Sequence, residues 1–324
     1  MVAAPPTITT MAEIPFVAPL DNVVYGRVEQ VSPMIRRVTA NNPNKFTSTG
    51  TGTYIVGRGN VAVIDPGPEL AAHREALEAA LRGDIVRAIL VTHCHSDHSP
   101  LSRWLSATTG APTIAFGPHG EVDAEDLSHE ADDAQPTDSQ PKETVDVEFV
   151  PDIAVVDGET AAEFDDVVLR AVYTPGHASN HTCFAFAEER ALFTGDHVMG
   201  WSTTVVSPPD GDMRAYMDSL RKVAGRHDAI LWPTHGNPVT KVAPFLDAYL
   251  DHRLQREEEI LRLVRQGVGD IPGLVAILYA DVRAELHKAA GRSVLSHLLK
   301  LVADELVHAE EPSEHPTVTS TFTA

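Results

Sequence analysis

The stretch that decides the fold of this chain is THCHSDH, residues 92–98. It places three imidazoles and one carboxylate side by side, from His93, His95, Asp97 and His98. Packed together without a cation, these groups would compete for hydrogen-bond donors and acceptors, whereas a metal ion satisfies them all. Imidazole and carboxylate ligands suit zinc, and they suit iron or manganese as well. The stretch therefore predicts a metal site.

The flanks of this stretch predict its place in the fold. Residues 86–91 (VRAILV) form a continuous apolar run, which is typical of a buried strand. Ser99 and Pro100 follow the stretch, and they suit the N-cap and the first position of a helix. The ligands are therefore expected on a loop between a strand and a helix, where a rigid scaffold can hold them.

Three further motifs follow predicted strands. TPGH (174–177) supplies His177, TGDH (194–197) supplies Asp196, and PTHG (233–236) supplies His235. Each is a glycine-containing turn at a strand end, so these side chains could converge with the first loop at one edge of the sheet layers. VIDPG (63–67) places Asp65 in the same kind of position.

The remaining pattern predicts a layered α/β domain over residues 21–240. A β-hairpin is expected from residues 53–56 and 61–64 around GRGN (57–60). Helices are expected over 68–81 and 213–223, and strands over 167–173, 182–187, 191–194 and 229–232. Residues 1–20 are expected to pack as an extended lead-in.

The acidic and C-terminal segments differ in character from this domain. Residues 121–152 hold twelve Asp and Glu against one Lys, which predicts an acidic insertion. A solvated loop is the favoured interpretation, and a lid that controls substrate access is the alternative. Helical patterning over residues 241–309, with breaks at 267–269 and Gly291, predicts a separate all-helical unit. The polar tail, residues 310–324, is expected to be disordered.

Composition limits the classes of function. The formal net charge of −21 repels phosphate polyanions, which weighs against nucleic-acid binding. The two cysteines, Cys94 and Cys183, argue against a disulfide framework and suit a reducing cytosol. The N-terminus does not read as a signal peptide, and no apolar run is long enough to span a membrane. A cytoplasmic location without membrane attachment is therefore expected.

In this order, HxHxDH, TPGH, TGD and PTHG resemble the metallo-β-lactamase superfamily over roughly residues 20–240. The resemblance implies a four-layered αβ/βα sandwich with two metal ions, expected to be zinc, at one edge of its sheets. It implies that His93, His95 and His177 hold one metal. It also implies that Asp97, His98 and His235 hold the other, with Asp196 as the bridge. A bridging Asp in place of a Cys ligand is more similar to glyoxalase II than to true lactamases.

The resemblance also implies a mechanism. A water between two cations loses its proton near neutral pH and becomes a nucleophile. Asp97 lies where a carboxylate could orient this water, so it is a candidate catalytic residue as well as a ligand. Asp65 resembles the family's Asp that supports the ligand loop from behind. His181 and His197 are expected to form local hydrogen bonds, and Cys94 to be a buried thiol that points away from the metals.

The C-terminal unit indicates a subgroup. HRLQREEEILRLV (252–264) and the segment 271–307 resemble the winged-helix-like tail of the β-lactamase-like protein 2 group, whose members are generally uncharacterised hydrolases, some of which cleave single-stranded RNA. A nucleic-acid reader should show a basic face, but residues 251–308 hold eight Lys or Arg against nine Asp or Glu. The favoured interpretation is that the C-terminal unit packs against the core and forms one wall of the active-site cleft. It could also support a homodimer.

Three functions follow as hypotheses. The first is hydrolysis of an ester-like bond, in a small-molecule thioester, lactone or amide, by a metal-bridging hydroxide. The second is a metal-dependent endoribonuclease on single-stranded RNA, which a basic groove in the structure would favour. The third is a redox module such as an oxygen-reducing diiron site, which the lack of a fused flavin-binding domain disfavours. Weak β-lactamase activity is a minor alternative.

Overall fold

A seven-stranded mixed sheet forms the first half of the chain. The computed structural model describes residues 13–120, 144–310 and 316–324. The strands lie in chain order: β1 (Val28–Gln30), β2 (Ile35–Thr39), β3 (Gly52–Arg58), β4 (Asn60–Ile64), β5 (Ile85–Leu90), β6 (Thr113–Ala115) and β7 (Ile153–Ala154). The first four pair antiparallel and the last four parallel. Helices α1 (Ala71–Ala80) and α2 (Leu101–Thr109) connect the parallel strands.

A five-stranded sheet forms the second half of the layered domain. Its order is β12 (Ile230–Pro233), β11 (Ala191–Gly195), β10 (Thr182–Phe186), β9 (Val167–Tyr173) and β8 (Thr160–Phe164). Helix α3 (Met213–Ala224) connects the parallel pair β11 and β12. The strands and the helix predicted in this part of the chain are confirmed to within a few residues.

The two sheets pack face to face, and helices cover their outer faces. Strand β3 shows why: Tyr54 and Val56 face the second sheet, where they meet Phe193, while Ile55 between them faces α1 and α2. Helix α3 and the first half of α4 (Val242–Arg265) cover the second sheet. These layers are the predicted four-layered αβ/βα sandwich.

Two helix starts differ from their predictions. Helix α1 begins at Ala71, three residues after the predicted start, because Leu70 is still extended, with φ −113° and ψ 123°. Helix α2 begins at Leu101 without a side-chain cap. Ser99 does not act as the N-cap, because its hydroxyl donates to Oδ2 of Asp146 at 2.7 Å.

The C-terminal unit contains a small β-ribbon as well as helices. Helix α4 leads into α5 (Ile271–Leu278) and α6 (His287–Ala303), and β13 (His308–Ala309) pairs antiparallel with β14 (Phe322–Thr323). The expectation of an all-helical unit is corrected by this ribbon, although the winged-helix-like character is confirmed. Gly291 does not break a helix, because α6 continues through it where it packs against Ile271.

The predicted disorder of the tail is wrong for residues 316–324. Phe322 is only 1% exposed and packs into the core formed by α4, α5 and α6. Its backbone is paired both with β13 and with Gly269, whose carbonyl accepts from Phe322 N at 2.9 Å. The polar composition of this tail therefore does not reveal that Phe322 anchors it to the core.

Part of the predicted acidic insertion is packed. Residues 121–143 lie outside the described residues, so the predicted loop or lid is not described there. Residues 144–152 are anchored to the fold at three points: Phe149 is buried, and Thr144 and Asp146 form backbone hydrogen bonds with residues 96 and 94 of the ligand loop. Of the lead-in, residues 13–20 have no regular secondary structure, and Val17 N donates to Gly200 O at 2.7 Å.

Cys94 is a buried free thiol, as the sequence predicts, and Cys183 is a second one. Among the helices that the structure describes, none combines the length and the apolar character that crossing a membrane requires.

Truncation of Phe322 tests the packed tail. We expect Phe322→Ala to lower the stability of the C-terminal unit by about 3–5 kcal/mol, because it leaves a cavity in a well-packed core. Hydrogen exchange of α6 measures this loss locally. The control Val318→Ala removes a side chain that is 42% exposed and should leave exchange unchanged. Equal protection of α6 in both variants would contradict the assignment of Phe322 to this core.

Candidate metal centre

The first donor cluster consists of His93, His95 and His177. Nε2 of His93 lies 2.9 Å from Nδ1 of His95, and Nε2 of His177 lies 3.2 Å from the same atom. Nitrogens around one tetrahedral zinc ion would be roughly 3.3 Å apart, given Zn–N bonds of about 2.0–2.1 Å. The three nitrogens therefore have close to the spacing that a shared cation requires.

The second donor cluster consists of Asp97, His98 and His235. Oδ2 of Asp97 lies 3.1 Å from Nε2 of His235 and 3.4 Å from Nε2 of His98. The hydroxyl of Thr51 donates to this same oxygen at 2.9 Å. Thr51 also forms a backbone bridge with His235, which joins the two sheets beside the cluster.

The carboxylate of Asp196 lies between the two clusters. Its Oδ1 is 3.4 Å from Nε2 of His235 and 3.6 Å from Nε2 of His98. Its Oδ2 is 3.9 Å from Nε2 of His177. One carboxylate thus faces both clusters, which is the position that a bridging ligand occupies.

Backbone carbonyls orient two of the imidazoles. Nδ1 of His177 donates to Val205 O at 2.8 Å, and Nδ1 of His235 donates to Gly50 O at 3.2 Å. A proton held on Nδ1 leaves the lone pair of Nε2 free, and in both residues Nε2 is the atom that faces the cluster.

The fully buried carboxylate of Asp65 orients a third imidazole. Its Oδ2 accepts from Nδ1 of His98 at 2.8 Å and from the hydroxyls of Thr92 and Thr234, both at 2.9 Å. Its Oδ1 accepts from Thr92 N at 2.8 Å. Asp65 therefore binds the side of His98 that is turned away from the cluster, as predicted for a carboxylate that supports the ligand loop.

The surroundings lower the pKa of two imidazoles of the first cluster. Burial, and then the neighbouring imidazoles of His98 and His95, hold the pKa of His93 well below its usual value. Burial and the nearby His177 lower the pKa of His95 to about 3. Neutral imidazole is the form that binds metal, so these two rings are ready to ligate.

The second cluster is held together by opposite charges. Burial lowers the pKa of His98, but the carboxylates of Asp97 and Asp65 outweigh it and raise that pKa to about 9. Burial would raise the pKa of Asp97, but His98 and His235 hold it below its usual value. A cation bound here takes the place of protons on the two imidazoles.

The buried donor atoms fit a bound cation. Four of them have no hydrogen-bond partner within the described ranges of the chain: Asp97 Oδ1, His98 Nε2, Asp196 Oδ1 and His235 Nε2. A buried polar atom without a partner costs about 1–3 kcal/mol, and more when it is charged. A set of five imidazole nitrogens and two carboxylates around these atoms suits two divalent ions.

Two glycines let the ligand turns approach their neighbours. Gly176, at φ +133°, lies so near α3 that a Cβ would come within 2.3 Å of the backbone of Tyr216. Gly195, at φ +51°, would place a Cβ 2.6 Å from Nε2 of His181. The TPGH and TGD motifs therefore need glycine for close packing as well as for the turn.

The structure brings together all seven side chains predicted as ligands, while their binding of metal stays a prediction. His181 forms local hydrogen bonds as expected: it bonds the Thr174 hydroxyl at 2.9 Å and accepts from Asp196 N at 3.2 Å. The same expectation is wrong for His197, because neither of its buried ring nitrogens has a hydrogen-bond partner among the described residues. His197 and Cys94 both lie outside the donor clusters. Sequence reasoning missed Thr51, Thr92 and Thr234, although a threonine directly precedes His93 and another His235.

Comparisons with known proteins agree with this geometry. Residues 49–235 match the metallo-beta-lactamase superfamily, and residues 271–313 match the beta-lactamase associated winged helix domain. A lactamase-like protein of Aspergillus niger is 31% identical, over 89% of this chain and 86% of the relative. An atrochrysone carboxyl ACP thioesterase of Aspergillus chevalieri is 30% identical, over 87% of this chain and 85% of the relative. A beta-lactamase-like protein 2 homolog of Caenorhabditis elegans is 29% identical, over 86% of this chain and 88% of the relative.

Solved structures share the fold over most of the chain. A beta-lactamase domain protein from Burkholderia ambifaria aligns over 94% of this chain and 97% of its own length, with a TM-score of 0.71 and 20% sequence identity. A metallo-beta-lactamase family protein from Thermus thermophilus covers 91%, with a TM-score of 0.68, 23% identity and 99% of its own length. The chain therefore belongs to the metallo-β-lactamase superfamily and carries its associated winged helix domain. The family and the donor clusters make it a metal-dependent hydrolase.

Removal of a ligand tests the two clusters. We expect wild-type protein to bind about two metal ions per chain, and His95→Ala or Asp196→Ala to lose metal and hydrolase activity while keeping much of the fold. Elemental analysis after gel filtration measures the metal. The control His308→Ala removes an exposed imidazole of the C-terminal ribbon and should keep both ions. Full activity and two ions in either ligand variant would show that the assignment is wrong.

Replacement of Asp65 tests its orienting role. We expect Asp65→Asn to weaken metal binding at the second cluster by about 10–100-fold, because an amide cannot accept all of the bonds that hold His98. Competition with a chromophoric chelator measures the affinity. The control Asp165→Asn changes an exposed carboxylate that accepts from Asn60, far along the sheet from the clusters. An unchanged metal affinity in Asp65→Asn would contradict the role of Asp65 in orienting a ligand.

Proposed function

We propose that the protein is a binuclear, zinc-dependent hydrolase of an ester-like bond in a small molecule, with a thioester as the favoured substrate. The observation that carries the proposal is the carboxylate of Asp196 between two donor clusters of three ligands each. Two such clusters on one bridge suit a pair of ions. Iron or manganese would fit the same donors, and zinc is proposed because imidazole-rich sites of low coordination number favour it.

The residues of the chain prepare the site for hydrolysis. When bound, two cations would lower the pKa of a shared water and polarise the substrate carbonyl. Thr51 holds Asp97 by one carboxylate oxygen, which leaves Oδ1 buried and available to accept a hydrogen bond from that water. Asp65 and the backbone carbonyls of Val205 and Gly50 keep the imidazoles in place. Asp97 is therefore the residue that we assign to water orientation.

The accessible side of the site is partly apolar. His95 and His177 are partly exposed, whereas His93, His98 and His235 are buried, so substrate approaches from the side of the first two. Tyr173, four residues before His177, stacks on Phe116 with ring centroids 3.9 Å apart. The Tyr173 hydroxyl donates to Ser179 O, two residues after His177. Such a pair offers a flat apolar surface to the acyl part of a substrate.

The relatives favour a thioester. Several relatives at about this level of identity are atrochrysone carboxyl ACP thioesterases, including one at 30% identity over 87% of this chain. Thioester hydrolysis is a reaction that the proposed centre can perform with no further cofactor. The acyl group and its carrier follow from loops around the site and differ between relatives of one fold.

The alternative of an endoribonuclease finds little support in the charges. A groove of about 410 Å³ is lined by Arg170, Arg190, Lys222 and Arg226, yet Lys222 pairs with Asp157 and Arg226 with Asp228. Arg190 precedes strand β11 and Asp196 follows it, so the whole strand, roughly 16 Å long, lies between them. The groove therefore does not lead a polyanion to the metal centre.

A substrate panel tests the proposal. We expect hydrolysis of an acyl thioester, with lactone and amide substrates as slower members of the panel and a cephalosporin slower still. Activity should vanish on chelation, return with zinc, and be absent from Asp196→Ala but present in His308→Ala. Turnover of single-stranded RNA alone, lost on chelation, would overturn the substrate class. Thioester turnover that survives both chelation and Asp196→Ala would overturn the metal mechanism.

A further inference from the structure

Helix α4 reaches from the catalytic domain into the C-terminal unit. Val242, Phe245 and Leu246 at its start pack in the core beneath the second sheet. Ile260 and Leu263, near its end, pack in the core of the C-terminal unit. At 24 residues it is about 36 Å long. It is therefore the element through which the two units share a structure.

Two side chains on one face of α4 hold a single residue of the segment behind the metal centre. Tyr249 and Arg253 are one helical turn apart, so they lie side by side. The hydroxyl of Tyr249 accepts from Thr204 N at 2.5 Å. The guanidinium of Arg253 donates to Thr204 O through Nη2. Both backbone groups of Thr204 are thus bound by α4.

Thr204 and the residue after it hold two candidate ligands. The hydroxyl of Thr204 donates to the backbone carbonyl of Asp196 at 2.7 Å, and the side chain of Asp196 is the proposed bridging carboxylate. Val205 O accepts from Nδ1 of His177 at 2.8 Å. The segment 204–205 therefore joins α4 to one ligand by a side chain and to another by a carbonyl.

Arg253 is held in a way that serves this contact. It is only 4% exposed, and its guanidinium lies over the rings of Tyr216 and Tyr249, with Cζ 5.1 Å and 5.9 Å from their centroids. The hydroxyl of Tyr216 donates to His197 O at 2.8 Å, next to Asp196. A buried cation between two aromatic faces has few other conformations. Its donor group is therefore fixed against Thr204.

We propose that Arg253 is a positioning residue of the metal centre, through which helix α4 sets the geometry of His177 and Asp196. The inference rests on the proposed metal-dependent hydrolase, and it gives the C-terminal unit a part in the reaction without any contact with substrate. Arg253 acts through the carbonyl of Thr204, and Tyr249 acts beside it through the amide. Loss of either frees the carbonyl of Val205 and the hydroxyl of Thr204 to move.

The chain offers a matched control for Arg253. Arg256 lies on the same helix, is 8% exposed, and also stacks on an aromatic ring, with Cζ 4.4 Å from the centroid of Tyr279. Its guanidinium donates to Leu278 O at 3.0 Å, inside the C-terminal unit. Arg256 therefore matches Arg253 in burial and chemistry, but it binds the C-terminal unit where Arg253 binds the segment 204–205.

The experiment compares zinc affinity and Co²⁺ absorption spectra of the full-length wild type, Arg253→Met and Arg256→Met, together with thermal unfolding of the metal-free proteins. We expect both variants to lower the melting temperature. Only Arg253→Met should weaken zinc binding, by about 10–100-fold, and shift the Co²⁺ bands, as the loss of a group that orients ligands does. Arg253→Lys, which keeps one charged donor, should recover part of the affinity.

Three outcomes decide the matter. If Arg253→Met binds zinc with wild-type affinity and spectrum, or if Arg256→Met weakens zinc binding equally, the positioning role is wrong. If wild-type protein itself binds no zinc, the proposed function fails, and the positioning role fails with it. If Arg253→Met does not fold, Tyr249→Phe gives the same test through the amide of Thr204, and the same loss of affinity is expected from it.

Discussion

The carboxylate of Asp65 is the interaction on which the rest of the site depends. It follows strand β4, and it binds Thr92 beyond the end of β5, Thr234 beyond the end of β12, and His98 of the ligand loop. A buried carboxylate without partners would cost several kcal/mol, so these four bonds are a condition of its burial. Strand ends from both sheets therefore have to meet at one place, and the donor clusters lie there.

This constraint explains why so much of the site could be predicted. The seven candidate ligands lie in short motifs at strand ends, where glycine and threonine mark the turns. Each motif can be identified from its local sequence alone. The threonine hydroxyls were missed for a physical reason. A threonine next to the end of a strand is an ordinary residue, and only the three-dimensional arrangement shows that Thr51 and Thr234 face buried carboxylates.

The failures of prediction share a cause, which is that a few contacts override local composition. Phe322 anchors a tail that is otherwise polar, and Gly291 lies inside a helix because the packing of α6 against α5 outweighs its low helix propensity. Ser99 has the right chemistry for a cap, but its hydroxyl reaches Asp146, 47 residues further along the chain. Long-range contacts of this kind leave no periodic signal.

The buried and the exposed sides of the site have different roles. Inside, Asp65, Thr51 and the backbone carbonyls hold the ligand side chains in place, while four buried donor atoms keep no hydrogen-bond partner among the described residues. On the other side, His95 and His177 are partly exposed, and Tyr173, four residues before His177, stacks on Phe116. A shared metal centre with variable surroundings is how one fold serves lactams, thioesters and other substrates. In the proposed hydrolase, the surface beside the donor clusters would select the substrate, and the side chains beneath the clusters would hold the ligands in place.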